Sequence, residues 1–334
     1  MKYSILGKTG LKVSRIGFGG IPIQHVDKEN SRKLISRAVE LGINLIDTAR
    51  GYTGSESLIG YGLEGLRDKV HLATKSMARE KAAMRKDIEL SLKLLETDYI
   101  DLYQLHNVGT LQDLDKVTTP GGALEALIEC RNAGIIKHIG ITSHSLDVIE
   151  KALNNDIFET IQYPYNAVEI QAQEVFRKAR GMNLGVIAMK PLGGGALRNA
   201  KAALKFILHN PDISSAIPGM DSIEQVEENV STVDEMPLLE EERLALMKEA
   251  TELGERFCRR CGYCQPCPQG INIPMIFILE SYYTRYDLKD WAVERYKALS
   301  SKADACAKCG ICESKCPYKL PIRDMLDSVK NILG

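Results

Sequence analysis

Three apolar runs in the first third of the chain each end on an ionisable side chain. Leu45 and Ile46 lead into Asp47, VHLATK ends at Lys75 and IDLYQLH ends at His106, so the three follow one another at spacings of 28 and 31 residues. That is the length of one strand plus a crossover helix. Strands repeated at this pace run parallel and bring their C-terminal ends to one rim, where α/β barrels carry their chemistry. Tyr52 follows Asp47 across a short turn through Arg50 and Gly51. The spacing therefore predicts four ionisable groups on one rim: Asp47, Tyr52, Lys75 and His106.

Five further runs continue the pattern. Ile16 and Phe18 begin a strand ahead of these three, and IKHIGITSH, TIQYPYN, LGVIAMKP and ISSAIPGM supply four more after them. Segments of helical spacing fill the gaps: 30 to 42, a helix from Ser55, 80 to 96, 120 to 133, 146 to 153, 171 to 180 and 201 to 209. Eight strand and helix pairs predict an α/β fold, a (β/α)8 TIM barrel. The alternating opening MKYSILGKTGLKVS, centred on Gly7 to Gly10, reads as an N-terminal hairpin. The polar stretch Asn107 to Gly122 reads as a long loop beside the rim and a place for substrate contact. Cys130, on the apolar face of its helix with Ala123 and Leu127, reads as a small buried hydrophobe.

A phenol ordinarily parts with its proton near pH 10. A neighbouring ammonium favours the phenolate, and a carboxylate beside the lysine keeps it charged. An imidazole can hydrogen-bond the oxygen being protonated, so the set suits a carbonyl becoming an alkoxide, or the reverse. Taken singly, each residue has a plainer use: Asp as a helix cap, Tyr as a half-buried core residue, Lys as a solvated charge, His as a satisfied hydrogen-bonder. Their placement on successive repeats argues for a joint role. IDTARGY, ATK and DLYQLH resemble the tetrad of the aldo-keto reductases. The resemblance implies an oxidoreductase moving hydride between NAD(P)(H) and a small carbonyl or alcohol substrate. It gives Tyr52 the acid/base role, with Lys75 and Asp47 tuning it and His106 orienting the substrate oxygen. It also implies that the hairpin plugs the bottom of the barrel.

Two rim loops suit a phosphate. MKPLGGG, with Met189, Lys190 and the glycines Gly193 to Gly195, follows the seventh strand, and IPGMDSIEQ follows the eighth. Glycines let backbone amides approach an anion, and Ser222 with Gln225 has capping-box spacing at a helix N-terminus. Loops after strands seven and eight are the usual phosphate site of this barrel class, and no GxGxxG follows the first strand to suggest a Rossmann site. By resemblance, IPGMDSIEQVEEN is the adenosine end, with Glu228 and Asn229 at the adenine. Gly219 and Gln225 stand where NADPH-preferring relatives carry basic residues, so NADH and NADPH both stay open with a lean to NADH. Ser143 and Gln162 match positions that hold the nicotinamide carboxamide. His144 stands where Asn is more common, and Met189 where many relatives stack a Tyr on the ring.

Eight of the nine cysteines lie between Cys258 and Cys316. A disulfide framework would be spread over the fold, so this crowding points to metal. Cys258, Cys261, Cys264 and Cys267 form one evenly spaced run. Cys306, Cys309, Cys312 and Cys316, followed by Pro317, form a bacterial CxxCxxCxxxCP run. Each run has enough thiolates for one [4Fe-4S] cluster, and two zinc sites are the alternative. The runs resemble those of two-cluster ferredoxins, in which the last cysteine of each run serves the other cluster. That implies Cys258, Cys261, Cys264 and Cys316 on one cluster, and Cys306, Cys309, Cys312 and Cys267 on the other. The 38 residues between the runs carry Tyr282, Tyr283, Tyr286, Tyr296 and Trp291, a small core or a docking face. A helix from Glu240, with Leu246, Ala250, Leu253 and Phe257 on one face, leads to the first cysteine. The chain thus divides into a barrel over 1–250 and a small, mostly helical ferredoxin-like domain over 251–334.

A net charge of −1 offers no general attraction to nucleic acid or an anionic membrane. The opening lacks the apolar run of a secretory signal, and no stretch has the length of a membrane span, so the cytoplasm is the expected location. Nicotinamide yields two electrons as hydride whereas a cluster accepts one, and no flavin site is recognisable. A ferredoxin or an added flavin is thus a candidate electron partner. The other reading is an iron-sulfur electron carrier or redox sensor built on a catalytically retired barrel.

Overall fold

The computed structural model describes residues 1–334. Strands β1 (Tyr3–Ile5) and β2 (Lys12–Ser14) form the antiparallel hairpin, with Tyr3 opposite Ser14. Eight parallel strands follow: β3 (Phe18–Gly19), β4 (Leu45–Asp47), β5 (His71–Ser76), β6 (Ile100–Leu105), β7 (Ile136–Thr142), β8 (Thr160–Pro164), β9 (Gly185–Met189) and β10 (Ser215–Ile217). They lie side by side in chain order. Bridges from Ile16 to Ala216 and from Gly19 to Gly219 bring the first strand to the last, so the sheet curls into a nearly closed barrel. Every residue of β6 is buried, as expected of strands covered on both faces.

The core has two layers. Between strands and outer helices lies an extended apolar cluster that includes Leu34, Ile35, Met84, Ile88, Leu127 and Cys130, so Cys130 is a core residue. Inside the barrel, Leu6 and Val13 of the hairpin pack with Leu45, Ala73, Leu102, Ile187 and Ile217 and close its lower end. The hairpin turn presses on β9 so closely that a Cβ on Gly7 would stand 2.1 Å from the Gly185 nitrogen, and its φ is +52°, so only glycine fits there.

Most helices fall where the periodicity places them, with one difference beside the rim. The stretch Asn107 to Gly122 is not one long loop, because a helix occupies Leu111–Thr118. Thr110 caps it by accepting from the Asp113 amide, and Leu114 and Val117 bury one face. Only the short segments around that helix remain loop. Ser222 caps the helix Ile223–Ser231 by accepting from the Gln225 amide, while the Gln225 side chain accepts from Asp221, one residue before the usual box partner. The helix Glu240–Gly254 ends before the first cysteine and packs Leu246 and Ala250 beside Val168, Ala202 and Ala203.

After Gly254 the chain forms the helices Ile273–Thr284, Lys289–Lys297, Ile311–Lys315 and Ile322–Leu333 around a second core. Ile322, Met325, Leu326, Val329 and Leu333 of the last helix face that core, each worth roughly 1.5–3 kcal/mol on full burial. No helix is long and apolar enough to cross a membrane.

Candidate active site

Parallel pairing sets the rim. Asp47 is the last residue of β4, Lys75 the penultimate residue of β5, and His106 follows β6 directly. Lys75 Nζ donates to Asp47 Oδ1 at 2.5 Å and to the Thr48 carbonyl at 2.8 Å, and Gln104 Nε2 donates to Asp47 Oδ2 at 3.3 Å. Both charges are buried. Burial raises the Asp47 carboxyl and lowers the Lys75 ammonium, each opposed by its partner.

Tyr52 sits on the turn after β4. Its ring centroid lies 5.2 Å from Lys75 Nζ and 5.8 Å from the His106 ring, which stands perpendicular to it. A buried polar knot holds that turn. Arg50 pairs with Glu56, which also accepts from Thr74 Oγ1 at 2.7 Å and Ser91 Oγ at 2.8 Å, while the Arg50 amide donates to the Lys75 carbonyl. Glu56 thus ties the Tyr52 turn to β5. Arg79 donates to the His106 and Asn107 carbonyls and fixes the end of β6.

The electrostatics differ from the sequence expectation at one point. The sequence places Lys75 to acidify the phenol, yet Tyr52 is pushed well above the ordinary tyrosine value. The cause is burial first, then Tyr282, Asp47 and Tyr286. The lysine's charge is already engaged by Asp47, and the phenol is roofed by other phenols, so desolvation wins. His106 is held well below its ordinary value by burial, then by Lys75, Arg79 and Lys190. Its Nδ1 is buried without a partner. The pair therefore presents a protonated phenol beside a neutral imidazole.

Beside this group a cleft of about 320 Å³ opens between the loops after β9 and β10. Lys190, Gly194, Gly195, Gly219, Gln225, Glu228 and Asn229 line it. Gly193, Gly194 and Gly195 all have positive φ, a left-handed run that other residues resist. Met189 ends β9, packed on the inner barrel cluster. Gln162 Oε1 is buried with no partner, an acceptor left free for a carboxamide N–H. Ser143 is more occupied than expected: its hydroxyl donates to the Val108 carbonyl at 2.6 Å and accepts from the Ser145 amide. One lone pair remains for a ligand. Near the loop after β10, Asp221 pairs with His25 at 2.9 Å, and Arg198 also lines the cleft.

The C-terminal region covers the rim. Arg260, between Cys258 and Cys261, donates to both oxygens of Glu169 at 2.7 and 2.8 Å and approaches His144 Nδ1 at 3.4 Å. Trp291 Nε1 donates to Thr53 Oγ1, next to Tyr52. Above the mouth the Tyr282 ring packs edge-on against Tyr286 and at a tilt against Trp291, whereas Tyr296 belongs to the second core. The tyrosine-rich segment thus supplies both a small core and a docking face.

The cysteines form two groups. Cys258, Cys261, Cys264 and Cys316 line one small cavity, and Cys267, Cys306, Cys309 and Cys312 line another. Each cavity takes three thiols from one run and the last thiol of the other. Four soft sulfur donors around a void fit an iron-sulfur group.

Residues 15–202 match the aldo/keto reductase family, more than half of the chain. The chain belongs to the aldo/keto reductase family. Residues 257–321 of this reductase match the 4Fe-4S dicluster domain. L-Galactose dehydrogenase of Arabidopsis thaliana is 30% identical over 70% of this chain and 88% of its own. The uncharacterized oxidoreductase YqkF of Bacillus subtilis is 27% identical over 75% and 97%. Among solved structures, the holo form of aldo-keto reductase AKR11C1 from Bacillus halodurans superposes with a TM-score of 0.66 at 30% identity, over 75% of this chain and 96% of that one. A Klebsiella pneumoniae aldo/keto reductase in complex with NADP and acetate gives 0.63 at 25% identity, over 74% and 95%. The protein is an oxidoreductase with a reductase barrel and an iron-sulfur domain.

Sequence reasoning missed several residues that shape this reductase's rim. Glu56, Glu169, Arg260 and Arg285 carry no motif in this single sequence. Arg260 had one signal: a cation inside a cysteine run, where a loop around a metal group must also face something else.

Proposed function

We propose that the barrel interconverts a small carbonyl and an alcohol with a nicotinamide dinucleotide, Tyr52 acting as acid and base. The observation that carries this reading is the meeting of Tyr52, Lys75 and His106 on the rim, with an unpaired Gln162 oxygen beside Asp47 and Lys190 linking His106 to the glycine-lined cleft. When bound, the dinucleotide supplies or takes up the hydride. In reduction Tyr52 Oη gives its proton to the carbonyl oxygen, and neutral His106 donates a hydrogen bond that orients the same oxygen. Lys75, held by Asp47, places a positive charge beside the phenol and stabilises the phenolate left behind. Gln162 and Ser143 would hold the carboxamide, Met189 would pack on the ring, and Glu228 and Asn229 would meet the adenine. Ser222 and Gln225 hold the helix N-terminus beside Gly219, and Gly193 gives the strand-seven loop its turn. With Asp221 and Glu228 acidic and Arg198 the one arginine from the barrel in the cleft, NADH is favoured over NADPH.

In the same reading the crossed cysteine groups hold two [4Fe-4S] clusters. They exchange single electrons with a ferredoxin or a flavin, and the barrel ends at Gly254, where its last helix stops. Oxidation of NADH and NADPH with a panel of aldehydes and ketones, comparing wild type with Tyr52→Phe, tests the barrel. Turnover abolished by the substitution is expected. A wild type that neither turns over nor binds a dinucleotide leaves the electron-carrier reading in its place. Iron and sulfide analysis after anaerobic purification tests the other half, and colourless zinc protein would remove the clusters.

A further inference from the structure

The cations at the barrel mouth are not equally free. Lys75 is paired with Asp47 at 2.5 Å, and Arg260 with Glu169 at 2.7 Å. Arg79 is committed to two carbonyls. Two remain. Lys190 lines the cleft with no carboxylate partner, its backbone held in the left-handed region at φ +54°. Arg285 comes from the other domain, just after the helix Ile273–Thr284. Its nearest carboxylate is Glu280 at 3.9 Å, and its buried Nε has no partner.

Arg285 and Tyr286 lie against the glycine run. A Cβ on Gly194 would stand 3.1 Å from the Tyr286 hydroxyl, and one on Gly195 would stand 3.5 Å from Arg285 Cβ. Both residues line the same cleft as Gly219 and Asn229. A pyrophosphate carries two negative charges and is best held by backbone amides with planar, forked donors. A cleft lined by Lys190, by an Arg285 held only loosely by Glu280 and by a phenolic hydroxyl over left-handed glycines matches that chemistry.

We propose that the iron-sulfur domain is part of the dinucleotide site: Arg285 and Tyr286 close over the Gly193–Gly195 loop and, with Lys190, grip the pyrophosphate of the cofactor. This rests on the reading of the cleft as a nicotinamide dinucleotide site. It gives the second domain a binding role independent of electron transfer, and it makes tight cofactor binding depend on that domain being folded and docked.

The test uses the full, cluster-loaded chain. Binding of NADH, of ADP-ribose and of adenosine, which lacks the pyrophosphate, is titrated for wild type, Arg285→Ala and Arg285→Gln, with iron content measured on each sample. Loss of charge-assisted hydrogen bonds predicts NADH and ADP-ribose binding weakened about ten- to a hundredfold with adenosine unchanged. Should the alanine variant lose iron, the glutamine variant, which keeps the length and packing of the stem, carries the comparison. Wild-type affinity for ADP-ribose in an iron-replete variant overturns the proposal while leaving the dinucleotide reading intact. An equal loss for adenosine also overturns it, because the effect is then on the cleft as a whole. A wild type that binds no dinucleotide removes the reading and the proposal together.

Discussion

Arg260 reaches out of the first cysteine run and donates to both carboxylate oxygens of Glu169, at 2.7 and 2.8 Å, with Glu169 0% exposed. Asn166 supports the carboxylate with a side-chain donor at 3.0 Å. This pair ties the loop around the thiols to the rim of the barrel. A buried pair broken on one side leaves an uncompensated charge, at a cost of about 3–5 kcal/mol. Glu169→Ala should lower the midpoint of thermal unfolding by several degrees and expose the segment after Gly254 to limited proteolysis. An unchanged midpoint with an intact proteolysis pattern would show the domains to be held by other contacts.

Tyr52→Phe keeps the ring beside His106 and removes the proton. General acid catalysis contributes about 10²- to 10⁴-fold, so kcat for carbonyl reduction should fall by that order while dinucleotide affinity stays near wild type. The pH profile follows from the two shifts. Tyr52 is raised, so its acid form persists through and beyond pH 10; His106 is lowered, so the imidazole is neutral throughout the neutral range. Reduction should therefore show no loss of rate assignable to either group between about pH 7 and 9.5. A steep fall near pH 8 under saturating conditions would mean that the phenol is acidified after all.

Lys190 has its ammonium lowered to about 7, by burial first and then by Arg260. An anion bound beside it favours the charged form and raises that value, so binding takes up a proton between the free and the bound pKa. Dinucleotide affinity should accordingly be greatest below about pH 7 and decline as pH rises above it. Lys190→Met should flatten the dependence and weaken binding most at low pH. Titrations at pH 6 and 8.5 on both proteins check this, and a parallel slope in the variant would assign the proton elsewhere.

The crossed grouping of thiols predicts a pattern of double substitutions. Cys258→Ser and Cys316→Ser remove ligands from the same cavity, so the pair together should lose no more iron than either alone, about half of the total. Cys316→Ser with Cys309→Ser strikes both cavities and should lose nearly all of it. Iron and acid-labile sulfide per chain decide. The reverse pattern, with Cys258→Ser and Cys316→Ser together losing nearly all the iron and Cys316→Ser with Cys309→Ser only about half, would indicate that each run serves its own cluster.

Much of this was legible in the sequence because each signal was local. Asp47, Lys75 and His106 end apolar runs at the pace of a strand and helix unit, and eight such units leave few ways to arrange a sheet. The cysteine runs carry their spacing in a few residues. The sequence marks the helix Leu111–Thr118 only weakly, because Leu111, Leu114 and Val117 are its only apolar residues among eight and the Thr110 cap is a weak cue by itself. The direction of the phenol's shift is not legible in the sequence for a different reason: its neighbours in the barrel lie nearby in the chain, but Tyr282 and Tyr286, which raise it, lie more than 200 residues away.

The sequence by itself determined the barrel, the rim on which Asp47, Lys75 and His106 stand, and the two thiol runs, because periodicity, turn residues and ligand spacing act within a few residues of one another. Only the tertiary structure decided that the second domain sits over the mouth. There Arg260 meets Glu169, phenols desolvate Tyr52 and Arg285 faces the glycine loop. Those contacts depend on how two independently packed cores dock, and docking is set by the shape and charge of finished surfaces rather than by any pattern along the chain.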